Sequence, residues 1–127
     1  MAESDWYYVD VITCAAPNLC RKPGNRYNVG DGNMQTKMKD SDLLAIHEKR
    51  LRRILEVALS KSCDTIILGA FGCGAFQNNP EVVALASRNV IKDYLHAFKN
   101  IEFAVYCSPR DERNFKIFER DLKDFIN

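Results

Sequence analysis

The sequence predicts an α/β domain with a mainly parallel sheet, and three observations carry that prediction. Strand-like and helix-like stretches alternate along the chain. The middle strand-like run, Thr65 to Leu68, passes through a glycine loop straight onto a helix start. The helical stretches hold apolar residues on one face and charges on the other, as helices packed on a sheet do.

Taken in order, residues 6–15 (WYYVDVITCA) are aromatic and β-branched and read as the first strand. Apart from Asp10 this run is apolar on both faces, which suits an interior strand covered on two sides. Ala16, Pro17 and Asn18 then turn the chain. Residues 19–40 lack periodicity and contain Gly24, Gly30 and Gly32, a length that predicts a ligand-covering loop. Asp40-Ser41-Asp42 can cap a helix to about residue 60. Leu44, His47, Leu51, Ile54, Leu55 and Ala58 share one face of it, so His47 reads as a packed histidine and not a catalytic one.

The short apolar run 65–68 follows as a buried strand. Gly69, Gly72 and Gly74 come next, where the backbone must turn and approach something closely. Asn79-Pro80 supplies an N-cap and a proline at the first helical position. Free amides and the positive end of a helix dipole at one spot suit a phosphate or diphosphate. The second helix is expected over residues 80–98, with Val83, Val90, Ile91, Tyr94 and Leu95 buried. Residues 101–107 (IEFAVYC) read as a third strand. Ser108-Pro109-Arg110 turns the chain, and Asp111 caps a last helix with Phe115, Phe118, Leu122, Phe125 and Ile126 inward. Ligands of parallel sheets bind beyond the carboxyl ends of the strands. That edge gathers residues 15–40, 69–80 and 107–111.

Composition bounds the function. The 127 residues form one domain, residues 1–127, with 46% hydrophobic and 28% charged residues and a net charge of +1. No broad basic surface for nucleic acid or anionic lipid follows from that balance, and no run approaches a membrane helix. The five cysteines form no CxxC pair. They read as reduced thiols of a cytoplasmic protein, with no metal site and no cofactor.

The strings VDVITCAAPN, TIILGAFGCGAFQNNPEVVA and IEFAVYC resemble the carboxyl-terminal half of the macrodomain superfamily, in its bacterial-type poly(ADP-ribose) glycohydrolase branch. The resemblance implies a three-layer α/β/α fold, here minimal or truncated, and a site for ADP-ribose or a derivative. It assigns the diphosphate and distal ribose to Gly72, Cys73, Gly74, Ala75 and Phe76, with Ala16, Pro17, Asn18, Phe71 and Asn78 around them, and the adenine to Tyr106, Ser108 or Arg110. The hydrolytic branch also carries an upstream glycine triplet, a glutamine and paired glutamates. This sequence has no such string; Glu3, Glu48 and Glu56 are its only glutamates before the glycine loop. Glycosidic hydrolysis needs a positioned carboxylic acid. The expectation is therefore a binding domain without catalytic residues. It is similar to the macro-like sensor of bacterial Thoeris antiphage systems, which in longer parents is tethered to the inner membrane. An ADP-ribosyl glycohydrolase or deacylase using Asp31 or Asp40, a Cys73 thiolate at the helix start, and an interaction subunit completed by another chain are the alternatives. Three strands leave sheet edges open, which predicts a homo-oligomer or an extra strand from residues 1–10 or 20–40.

Overall fold

A computed structural model of the chain describes residues 2–19 and 38–126. Its main elements are α1 (Asp40–Ser60), β1 (Thr65–Leu68), α2 (Pro80–Ile91), β2 (Asn100–Phe103) and α3 (Arg113–Leu122). β1 and β2 pair in parallel, Ile66 opposite Ile101 and Leu68 opposite Phe103. Two adjacent parallel strands joined through α2 form a βαβ unit, the expected connection for such a pair.

The α/β class and the parallel sheet of the sequence reading are thus present. Ile66 on β1 packs with Leu55 and Ala58 of α1 and with Val90 and Ile91 of α2. A second cluster joins Val83 and Ala84 of α2 to Ile117 and Phe118 of α3. Leu55 and Val90 are 0% exposed, and burying one such side chain contributes about 1.5–3 kcal/mol. Ile66, Leu68, Ile101 and Phe103 all meet these clusters, so the helices lie on one face of the sheet. On the other face Ile67 is 65% exposed. Among the described residues, one helical layer and the sheet are present, and the second helical layer expected of a three-layer fold is not.

The largest departure from expectation is the first strand. Residues 6–13 are exposed and join no sheet. Tyr7, Val9 and Val11 stand 87%, 78% and 80% exposed. Strand propensity measures fit to a pleated, half-buried surface, and among the described residues no neighbouring strand provides one. The predicted loop over 19–40 and its lid role lie largely outside the described residues.

Helix α2 also ends earlier than expected, at Ile91. The Asp93, Tyr94 and Ala97 amides donate to carbonyls three residues back, which tightens the chain into turns. The Lys99 and Asn100 amides then both donate to the Asp64 carbonyl, which starts β2 beside β1. Tyr94 stays buried while Leu95 does not, and in the last helix Phe118 and Leu122 are buried but Phe115 and Ile126 are exposed. Leu43, absent from the expected stripe of α1, is 2% exposed and packs with Leu19 and Val82.

Candidate functional site

The glycine loop leaves β1 at Leu68 and enters α2 at Pro80. Asn79 caps α2: its side-chain oxygen accepts from the Glu81 amide at 3.1 Å, with Pro80 at the first helical position. That arrangement is the one the Asn-Pro pair predicted.

Gly72 has φ of 78°, a left-handed conformation that favours glycine. A Cβ there would come within 2.7 Å of the Ala16 methyl and 2.8 Å of Asn78 Nδ2. Gly72 is therefore the point where the segment 15–19 lies directly on the loop. Gly74 differs, since a Cβ there would meet nothing within 4 Å. One glycine is needed for packing inside, and the other borders open space.

Asn78 holds the arrangement together. It is among the largest fully buried side chains. Its Nδ2 donates to the carbonyls of Pro17 at 2.7 Å, Gly72 at 3.0 Å and Phe76 at 3.2 Å. Those three carbonyls fix the orientation of the amide, leaving Oδ1 to face His47 Nε2 at 2.8 Å. Nε2 must then carry the proton and donate, which sets the histidine tautomer. Burial holds the His47 pKa below its ordinary value, against the raising effect of the Asn78 bond, and nearby Arg50 lowers it further. Phe71 packs edge-on against the His47 ring, centroids 5.6 Å apart. Arg50 Nη1 donates to the Ala15 carbonyl at 2.7 Å, and the Leu19 amide donates to the Phe76 carbonyl at 3.0 Å. Residues 15–19, the loop and α1 are thereby one tied unit.

The expected ring of free amides between Gly72 and Asn79 is only partly free. Cys73, Gln77 and Asn78 donate within the loop, to the carbonyls of Ala70, Gly74 and Gly72. The consecutive amides of Gly74, Ala75 and Phe76 donate to no acceptor among the described residues. These three residues are exposed. They are the part of the loop able to receive an anion. Asn78, by contrast, spends both donor hydrogens on the scaffold, so its role is positioning.

Cys73 lies in surroundings that disfavour its thiolate. Burial pushes its thiol up to about 12, although the Arg113 guanidinium pulls the other way. A thiol that weakly acidic stays protonated at neutral pH, which speaks against the Cys73 thiolate alternative. Sequence reasoning missed Arg113. Its charge is felt both at Cys73 and at Glu81, so it stands by the mouth of the loop. Neighbouring Asn114 Nδ2 donates to the Cys73 carbonyl at 3.5 Å. Glu81, an anion in the first turn of α2, is paired with Arg120 of α3. That pairing limits its repulsion of another anion at the helix start.

Of the remaining expected residues, Tyr106 is 91% exposed. Ser108 and Arg110 are exposed in the turn after β2, where Ser108 bridges to Asp111. They share the carboxyl edge of the sheet with the glycine loop but make no hydrogen bond to it among the described residues. No group of three or more histidine, cysteine or acidic side chains among the described residues is placed to hold a metal. No described helix is long and apolar enough to cross a membrane.

A parallel βαβ unit whose first strand feeds a glycine loop and a capped helix is an α/β framework of the kind that places ligands beyond the carboxyl ends of its strands. Comparison with solved structures finds likenesses to that framework. The chain is similar to poly(ADP-ribose) glycohydrolase from Deinococcus radiodurans in complex with ADP-ribose, at 32% identity and TM-score 0.60, over 66% of this chain and 34% of that one. Against the apo form of the same enzyme the identity is 31% and the TM-score 0.63, over 68% and 36%. The chain thus spans about a third of the length of that glycohydrolase. No protein-family profile and no curated protein matches the chain.

Proposed function

We propose that the chain is a non-catalytic binding domain for ADP-ribose or an ADP-ribose-derived nucleotide, as the sensor of an antiphage system such as Thoeris would be. The observation that carries this reading is the run of amides at Gly74, Ala75 and Phe76 that are unpaired among the described residues, beside a capped helix start and the Arg113 charge. Backbone donors at a helix N-terminus are matched to phosphate oxygens. The glycohydrolase structures that hold ADP-ribose support the choice of nucleotide. The absence of a glycine triplet and paired glutamates from the sequence supports binding without hydrolysis.

Calorimetric titration with ADP-ribose tests the proposal. The parent chain is expected to bind, and Gly74→Trp, which fills the open space beside the free amides, is expected to weaken binding at least about tenfold with little loss of stability. Absence of binding at high micromolar concentration, or binding unchanged in Gly74→Trp, would sink it. Incubation with poly(ADP-ribose) is expected to release no ADP-ribose on chromatography; release would revive the glycohydrolase reading.

A further inference from the structure

We infer that Arg113 is the side-chain cation of the glycine-loop site, closing on one phosphate of a nucleoside diphosphate while the Gly74, Ala75 and Phe76 amides hold the other. The role rests on the loop receiving an ADP-ribose-type nucleotide, and it gives that nucleotide's second phosphate a partner. The three amides are consecutive and donate to no acceptor among the described residues. Successive amides on one short arc converge on a single anion. A diphosphate brings a second charged group, which such an arc leaves without a partner.

Arg113 is held beside the loop by its backbone. Its amide donates to Asp111 Oδ1 at 3.1 Å, the next side chain, Asn114, donates to the Cys73 carbonyl at 3.5 Å, and the Phe115 amide donates to Cys107 Sγ at 3.3 Å. The first turn of α3 is thereby tied both to the loop and to the chain beyond β2. The guanidinium itself is exposed and forms no ion pair among the described residues. The acids that could neutralise it are already engaged. Glu81 pairs with Arg120, Glu112 with Lys116 at 3.4 Å, and Asp111 with the Arg113 amide. The Arg113 charge is felt at Cys73, just before the amide run, and at Glu81, just after it in the first turn of α2. An unneutralised cation therefore borders the free amides from both directions along the chain. A guanidinium meets phosphate oxygens with a planar pair of N–H donors, and such charge-assisted bonds are about twice as strong as neutral ones.

Calorimetric titration with ADP-ribose separates the outcomes. Arg113→Gln is expected to weaken binding at least about tenfold, the loss of one charge-assisted contact. Arg113→Lys, which keeps a point charge for phosphate, is expected to stay within about threefold of the parent chain. Lys92→Gln removes the same charge at the far end of α2 and is expected to leave binding unchanged. If the parent chain binds and Arg113→Gln binds as tightly, the role is overturned while the ADP-ribose reading stands. Arg113→Lys binding as weakly as Arg113→Gln overturns it too, since the guanidinium would then serve as a stacking surface. So does an equal loss in Lys92→Gln, which would make the effect one of overall charge. A parent chain that does not bind ADP-ribose removes the reading and this role together.

Discussion

The two ends of one short strand contrast sharply. At the carboxyl end of β1, the polar atoms of Asn78 are all engaged and the loop is clamped to α1 and to residues 15–19. Along its outer edge, a few residues earlier, backbone groups face a groove and Ile67 points to solvent. The difference teaches which structure is local. A glycine turn with an Asn-Pro cap closes most of its hydrogen bonds over a few residues, whereas a strand is finished only by neighbours it does not encode.

The contrast can be broken most forcefully at Gly72. Gly72→Val would put a β-branched side chain at positive φ and onto Ala16 and Asn78. We expect a loss of about 3 kcal/mol or more in urea unfolding. Asn78→Ala comes next. It would strand the His47 donor and the Pro17 and Gly72 carbonyls, for an expected loss of roughly 2–3 kcal/mol and weakened nucleotide binding by calorimetry.

A smaller effect sharpens the same end. The folded-state pKa of His47 is lowered, so the folded chain resists a proton that the unfolded chain accepts. This contribution to stability is therefore complete above the ordinary histidine value of about 6.5 and is lost as pH falls below it, toward the folded pKa. Thermal melts across that window should show the decline, and His47→Gln, whose amide can still donate to Asn78, should remove this component of it. The smallest effect is expected at the open edge. Ile67→Thr should change stability by no more than about 0.5 kcal/mol, whereas Ile66→Ala on the buried face should cost about 2–5 kcal/mol.

This division also explains what the sequence could show. The span of α1, the strand at Thr65–Leu68 and the Asn79-Pro80 start of α2 were all legible, because periodic apolar faces and the Asn79 cap act locally. The cap expected from Asp40-Ser41-Asp42 is not formed, since Lys39 holds that position with no side-chain hydrogen bond. Residues 6–15 have a strand's composition without a strand's partners, and composition alone cannot report a missing neighbour. The place of Asn78 was visible as part of the loop but not as its clamp, because its bonds reach 31 residues to His47 and 61 to Pro17. Arg113 followed the expected cap at Asp111 with nothing in its spacing to mark it. Its nearness to Cys73 comes from α3 folding back on α2.

The protonated thiol at the centre of the loop has one more consequence. Peroxide and disulfide exchange act on thiolates, and Cys73, pushed up to about 12, offers almost none at cellular pH. Direct oxidation of this cysteine is therefore expected to be slow, measurable as slow labelling by a thiol reagent at neutral pH.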